Sequence, residues 1–199
     1  MKKISSVLIL FLLIFNTSLA NTYSSDPQTF IQELVSESIS KLSDKNLDEE
    51  EKANFIENVA IENVDIDALG LYTLGELRKS ADKNDITKYQ EAFKGYFLKS
   101  LTSRLTDYSS NKFEVIETEK KSSNYTIVKS RIAKSENQPE IKIDWRIYTK
   151  NPDKPLIRDL IVEGLSLART QKEEFASILS SNNNDITILI IKLNDFAKN

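Results

Sequence analysis

The chain contains no cysteine and no histidine. Without cysteine it has no disulfides, no thiolate nucleophile and no cysteine-ligated zinc. Without histidine it lacks the commonest metal ligand and the side chain that most often moves protons near neutral pH. These two absences exclude metal sites with cysteine or histidine ligands and the nucleophile–histidine pairs of serine and cysteine hydrolases.

Glycine is also scarce, with four residues in 199, and no Gly-rich phosphate-binding loop occurs. The stretch 164–168 (GLSLA) approaches the G-x-S-x-G motif that carries a nucleophilic serine. It lacks the closing glycine, and the chain lacks the histidine that would activate Ser166. We therefore interpret Ser166 as part of a strand-to-helix turn. We predict no catalytic residue, no metal site and no resident cofactor.

The first twenty residues have the pattern of a secretory signal peptide. Lys2 and Lys3 precede a nine-residue apolar run at 7–15, and the segment ends in Ser18-Leu19-Ala20. We predict a signal peptide at 1–20, export to the periplasm and a single domain at 21–199. Loss of the two lysines makes the formal net charge of −3 more negative, which argues against a nucleic-acid partner.

Two amphipathic helices are predicted at the start of the exported domain. Asp26 and Pro27 form a helix start, and apolar residues then recur every three to four positions up to Leu42. Asp48 and Glu51 have the spacing of a capping box and open the second helix.

Two further helices are predicted before residue 109. Asp67 is expected to cap a third helix that ends near Ser80. The fourth extends from about Asp85 to Tyr108 with an aromatic stripe. Gly95 lies inside that helix at a cost of roughly 1 kcal/mol relative to alanine, so we expect something bulky to pack closely there.

After Tyr108 the apolar period changes from near 3.6 to 2, which indicates strands. In the strand at 140–148, Ile141, Ile143, Trp145 and Ile147 point one way and polar residues the other, as in an antiparallel sheet with one solvated face. Four strands are predicted, at 113–118, 125–132, 140–148 and 156–163.

Two helices are predicted at the C-terminal end. Thr170 and Glu173 match a T-x-x-E capping box for the first. Residues 185–196 are apolar nearly all round, so periodicity alone leaves helix and strand open, but length and Asp185 as a cap favour a helix. The predicted fold is α+β, in which N-terminal helices cover a curved four-stranded antiparallel sheet, followed by two helices, as in NTF2-like proteins.

Four segments carry a resemblance to a known family. They are ALGLYTLGELRKS (68–80), KYQEAFKGYFLKSL (88–101), KIDWRIY (142–148) and DLIVEGLSLARTQKEEFASIL (159–179). Their order resembles the MlaC family of periplasmic phospholipid-binding proteins, also called toluene-tolerance auxiliary transport proteins. The most distinctive part is a strand that reaches an E-G-x-S-L turn before a T-Q-[RK]-x-E-F helix. The chain departs from the usual pattern at Lys172, often arginine, and at Pro155 and Leu156, where a tryptophan is frequent.

The resemblance implies a non-catalytic carrier with one phospholipid as its cargo. Its expected partners are phospholipid, the inner-membrane MCE-domain subunit of an ABC transporter and an outer-membrane lipoprotein complex. The implied role is lipid transport that maintains outer-membrane lipid asymmetry. The oligomeric state stays open, although a shuttle works most simply as a monomer. Lys172 retains the charge of an arginine but not its planar shape, so details of recognition can differ.

A lipid carrier needs an apolar cavity between its sheet and helices. Each candidate lining residue could equally be ordinary core. Two other functions stay open: a protein-binding module with a solid core, and an NTF2-like enzyme that uses Asp144 or Asp159. The predicted lipid-binding residues are Leu34, Phe55, Leu69, Phe93, Phe97, Leu101, Val115, Ile143, Trp145, Ile147, Leu160 and Val162.

Overall fold

The computed structural model describes residues 23–105, 112–134 and 139–198, so the predicted signal peptide and cleavage site lie outside the described residues. None of the helices in these ranges is both long and apolar enough to cross a bilayer. The elements are α1 (Pro27–Leu42), α2 (Glu49–Asn63), α3 (Ile66–Thr73), a 3₁₀ segment (Gly75–Lys79), α4 (Lys83–Leu105), β1 (Phe113–Lys120), β2 (Tyr125–Ile132), β3 (Ile141–Tyr148), β4 (Leu156–Val162), β5 (Leu165–Ser166), α5 (Leu167–Ser180) and α6 (Ile186–Lys198).

The first two helix starts are confirmed. The Asp26 carboxylate accepts a hydrogen bond from the Thr29 amide at 2.9 Å. In α2 the capping box is complete, because the Glu51 amide donates to Asp48 at 2.8 Å and the Asp48 amide donates to Glu51 at 2.9 Å. These bonds satisfy amide groups that a helix start leaves unpaired.

The prediction that Asp67 caps α3 is wrong, because Asp65 does so by accepting a hydrogen bond from the Ala68 amide at 3.2 Å. A contact with the sheet causes the difference. Val64 forms an isolated bridge to Ile157, and the Asp65 amide donates to the Ile157 carbonyl at 2.9 Å. Tertiary pairing therefore sets where α3 begins.

The expectation of a bulky neighbour at Gly95 is also wrong. A Cβ added at Gly95 would meet only the Cβ of Ala197 in α6, at 3.5 Å. The glycine with a bulky neighbour is Gly70 in α3, where an added Cβ would lie 2.9 Å from Cδ1 of Phe93. α4 begins at Lys83, slightly before the predicted start, and its predicted end at Tyr108 lies outside the described residues.

The sheet is an antiparallel meander in the order β1-β2-β3-β4-β5, which confirms the α+β prediction with one more strand than expected. The added strand β5 has two residues and follows a tight turn in which Glu163 and Gly164 have φ of 49° and 82°. Register shifts at Val115/Glu117 and Arg146/Ile147 interrupt the ladders. Such bulges bend strands and give a sheet its curvature.

The start of α5 differs from the prediction, and α6 agrees with it. The N-cap is Ser166 and not Thr170. Thr170 is a residue within the helix, and its hydroxyl donates to the Ser166 carbonyl at 3.1 Å. The ambiguous last segment is the helix α6, and Asp185 accepts a hydrogen bond from the Thr187 amide at 2.8 Å.

Buried apolar side chains form two separate cores in the described part of the chain. The sheet-side core joins α1 to the sheet through Phe30, Ile31, Leu34, Val128, Ile147 and Ile157. The helical core joins the region from α3 to α6 through Ile66, Leu74, Tyr89, Ala92, Phe93, Phe175, Leu179, Ile186, Leu189 and Leu193. Most domains have one continuous core. The space between these two cores is therefore a candidate binding site.

Candidate functional site: an apolar cavity between two cores

A cavity of about 440 Å³ lies between the two cores. Leu34 and Ile157 of the sheet-side core and Phe93 of the helical core all line it. Voids in protein interiors are seldom larger than a water molecule, whereas ligand pockets measure about 300–1,000 Å³. The cavity therefore has the size of a binding site.

Ten of the twelve predicted lipid-binding residues line this cavity: Leu34, Phe55, Leu69, Phe93, Phe97, Leu101, Ile143, Trp145, Leu160 and Val162. The other two lie elsewhere. Ile147 is completely buried in the sheet-side core, and Val115 packs against that core. Lipid contact by the ten lining residues stays a prediction.

The prediction omitted other lining residues of two kinds. Apolar residues such as Ile39 and Val59 lie on the inner stripes of α1 and α2, so their spacing could have indicated them. Polar residues such as Ser100, Arg104 and Gln171 also line the cavity, and no apolar pattern could have indicated these.

The Trp145 ring has a fixed orientation in the cavity wall. Its Nε1 donates to Oγ of Ser130 at 2.9 Å, and that hydroxyl donates to the Ile143 carbonyl at 2.8 Å. The Phe113 ring meets it edge-on, with ring centroids 6.4 Å apart and planes at 88°. A tryptophan with its N–H satisfied in this way presents an apolar surface to the cavity.

One polar anchor fixes the junction of α2 and α3 to β4. The Arg158 guanidinium lies 2.6 Å from the Asp65 carboxylate, donates to the Tyr125 hydroxyl at 2.7 Å and stacks 3.4 Å from the centre of the Tyr148 ring. Burial alone would lower the pKa of Arg158, but its hydrogen bonds to Tyr125 and Asp65 outweigh this and raise it. The anchor holds the helical layer at a fixed distance from the sheet.

A second polar anchor fixes the start of α5 to the same strand. Asp159 is buried and accepts hydrogen bonds from the Ser166 hydroxyl at 2.7 Å and from the Ala168 amide at 3.0 Å. Arg146 lies 3.5 Å from this carboxylate. Ser166 in turn caps α5 through the Arg169 amide at 3.0 Å. Ser166, the serine of the GLSLA stretch, therefore donates a hydrogen bond to a carboxylate and caps a helix.

Two tyrosine hydroxyls connect helices next to the cavity. Tyr96 donates to the side-chain oxygen of Gln171 at 2.8 Å, and the Tyr89 hydroxyl lies 2.9 Å from that of Thr73. Burial raises the pKa of both tyrosines, so both hydroxyls stay neutral. Within the described ranges no group of three or more acidic side chains is placed to hold a metal ion.

The arrangement can enclose apolar chains. Apolar side chains dominate the wall, and its charged members lie at the anchors or in the last turn of α4. Transfer of each methylene from water into such surroundings is worth about 0.8 kcal/mol.

Comparison with known families gives one match. Residues 28–195 match the family model described as MlaC protein. The match covers the described helices and strands from α1 to most of α6. No curated protein matches the chain.

Comparison with solved structures gives a similar fold. One such structure is that of the phospholipid-binding protein from Ralstonia solanacearum in complex with a phospholipid. The two chains share 16% identity and superpose with a TM-score of 0.70 over 86% of this chain and 96% of that chain. The likeness shows that the two chains have the same fold.

Proposed function

The chain belongs to the MlaC family, and from that premise we propose that it is a periplasmic carrier that holds a phospholipid by its acyl tails. The observation that supports this most directly is the apolar cavity of about 440 Å³ between the two cores. Its wall combines side chains from five helices with residues of the sheet.

The energetic requirement of a carrier fits such a cavity. Two acyl tails expose roughly thirty methylenes, so a carrier must shield about 24 kcal/mol of unfavourable hydration. A flat patch on the surface leaves one side of each tail in water. Enclosure between two layers covers both sides of each tail, and the anchors at Arg158 and Asp159 join the helices to β4 beside the cavity.

The two alternative functions fit less well. A protein-binding module predicts a solid interior, whereas this interior contains a cavity. An NTF2-like enzyme predicts a polar pocket around Asp144 or Asp159, but Asp159 already binds Ser166 and Ala168. We therefore propose a non-catalytic role with phospholipid as cargo.

Family membership and the signal-peptide pattern at residues 1–20 also support a proposal about where the protein works and with which partners. After cleavage of residues 1–20, the carrier works in the periplasm as a single domain. It exchanges lipid between an outer-membrane lipoprotein complex and the MCE-domain subunit of an inner-membrane ABC transporter, and so maintains lipid asymmetry.

Lipid extraction tests this function. The protein is purified from its native compartment, extracted with organic solvent and analysed by mass spectrometry. We expect phospholipid in stoichiometric amount. If the extract holds no phospholipid and the delipidated protein takes up none from vesicles, the proposal fails.

A further inference from the structure

Two parallel stripes of α4 face the cavity. One is apolar and consists of Phe93, Phe97 and Leu101, spaced four residues apart. The other lies three positions further along at each step and consists of Tyr96, Ser100 and Arg104. We call this second set the polar stripe. Residues three and four apart are neighbours on a helix surface, so the stripes lie side by side.

The polar stripe leads away from Phe93 towards the last turn of α4. Phe93 lies against Gly70 of α3 and is buried. Arg104 is in the last turn of α4, about 16 Å further along the helix axis, and is exposed. Arg104 therefore borders solvent, whereas Tyr96 at the other end of the polar stripe is half-buried.

Among the described residues, Arg104 is the charged member of the cavity wall that has no ion-pair partner. In the part of the chain that the structure describes, the charged residues of the wall are Arg104, Arg158 and Asp159. Arg158 pairs with Asp65, and Asp159 pairs with Arg146. Within residues 23–105, 112–134 and 139–198, Arg104 has no acidic side chain within ion-pair distance.

The other groups of the stripe suit the uncharged part of a lipid head. Tyr96 is held in place by its bond to Gln171, whose amide nitrogen donates to Glu174 at 2.9 Å. Ser100 lies between Tyr96 and Arg104 and lines the cavity, and a serine hydroxyl can donate one hydrogen bond. A guanidinium binds the two free oxygens of a phosphodiester through paired N–H groups, and a hydroxyl can donate to an ester carbonyl.

We propose that the polar stripe is the glycerophosphate subsite of the cavity. Arg104 binds the phosphodiester, Ser100 donates to an acyl ester carbonyl, and Tyr96 marks the limit between the ester groups and the tails. The inference rests on the proposed phospholipid function and adds a specificity to it. The carrier prefers phosphodiester lipids to diacylglycerol, which has the same tails and no phosphate.

Arg104→Gln tests the subsite, with Arg169→Gln as a matched control. Arg169 is also an exposed arginine near a helix end, but it does not line the cavity. Each delipidated protein is incubated with vesicles that contain phosphatidylglycerol and dioleoylglycerol, then separated from them. Mass spectrometry measures both lipids per protein, and titration gives the phosphatidylglycerol affinity.

We expect Arg104→Gln to weaken phosphatidylglycerol binding about 10- to 100-fold, the range for loss of a charge-assisted hydrogen bond. Dioleoylglycerol loading of Arg104→Gln stays unchanged. The phosphatidylglycerol affinity of Arg104→Lys lies between those of the wild type and Arg104→Gln, and Arg169→Gln has the wild-type affinity. Circular dichroism and thermal melting confirm folding. Ser100→Ala gives a smaller loss of phosphatidylglycerol affinity.

Two results overturn the subsite. One is wild-type affinity for phosphatidylglycerol in Arg104→Gln, and the other is equal loss of both lipids. In either case the carrier function stands, because the wild type still loads phospholipid. If the wild type loads no phospholipid at all, the proposed function and the subsite fail together.

Discussion

The ring of Phe93 lies so close to Gly70 that a Cβ added to the glycine would come within 2.9 Å of Cδ1. Phe93 also stacks on Phe97 at 6.0 Å and meets Phe175 edge-on at 6.3 Å. Phe93 also lines the cavity. The absence of a side chain at Gly70 therefore sets how far this ring projects into the space available to a ligand.

Gly70→Ala is expected to destabilise the protein and reduce its lipid load. Alanine gains about 1 kcal/mol in helix propensity, but overpacking of a buried ring costs about 1–3 kcal/mol. We expect a net loss of about 1 kcal/mol and a smaller cavity. Gly95→Ala is the matched control, since its Cβ meets only Ala197 at 3.5 Å, and it should stabilise the protein by up to about 1 kcal/mol. Chemical denaturation and lipid extraction measure both effects. A stabilised Gly70→Ala with full lipid load would contradict this prediction.

Phe97→Asp is expected to remove lipid before it unfolds the protein. Phe97 is only partly buried and faces the cavity, so the new carboxylate can remain hydrated in the empty protein. Against acyl tails the same charge is unpaired and costs several kcal/mol. Lipid load should fall more than about tenfold, which corresponds to 1.4 kcal/mol, with a cooperative thermal transition retained. Leu189→Asp, in the helical core and away from the cavity, should unfold the protein. Equal loss of folding in both variants would mean that Phe97 is ordinary core.

Ser166→Ala is expected to cost stability and no lipid binding. The substitution removes an N-cap, which is worth about 1 kcal/mol. Asp159→Ala should cost more, about 2–3 kcal/mol, because it leaves the buried Ala168 amide and the Ser166 hydroxyl without their acceptor. Asp159→Asn retains an acceptor oxygen, so its loss of stability should lie between those of Ser166→Ala and Asp159→Ala. Urea denaturation checks the order of the three variants. If the Ser166→Ala protein were stable but did not bind lipid, this prediction would be wrong and the serine would have a chemical role.

The cap of α1 is expected to make stability depend on pH in the acidic range. Hydrogen bonds from the Thr29 amide and hydroxyl hold the pKa of Asp26 below its ordinary value. A carboxylate with a depressed pKa in the folded state stabilises the protein above its unfolded pKa of about 3.9, and this contribution disappears as pH falls through the folded pKa.

Asp26→Ala should therefore lower the free energy of unfolding by about 1 kcal/mol at neutral pH, with a gap that begins to narrow near pH 4. Asp26→Asn keeps an acceptor without a charge and should preserve most of the stability at neutral pH. Denaturation at several pH values gives the comparison. A gap between wild type and Asp26→Ala that stays constant down to pH 2 would contradict the assignment.

Local patterns predicted those parts of the fold that depend on neighbouring residues. The Asp48–Glu51 capping box and the strand 125–132 are both found where the spacing placed them. The errors occur where distant parts of the chain decide. Asp65 caps α3 because Val64 pairs with Ile157, and Ser166 caps α5 as part of a turn that pairs with β4.

The cavity is a different case, because apolar spacing shows which face of an element points inward but not whether another side chain meets it. Phe97 and Ile147 have equally apolar patterns, yet Phe97 faces the cavity and Ile147 is completely buried in a core. The polar stripe on α4 has no apolar pattern, so it became visible only once the cavity wall was known.

The most direct test of tail enclosure uses the fluorescence of Trp145, the only tryptophan in the chain and part of the cavity wall. The delipidated protein is incubated with phospholipid vesicles whose acyl chains carry bromine, which quenches tryptophan on contact, and is then separated from them. Unbrominated vesicles are the control. Tails held between the two cores predict that the isolated protein retains brominated phospholipid and loses most of its Trp145 emission. Retained phospholipid with unquenched Trp145, or no retained phospholipid, would contradict enclosure of the tails in this cavity.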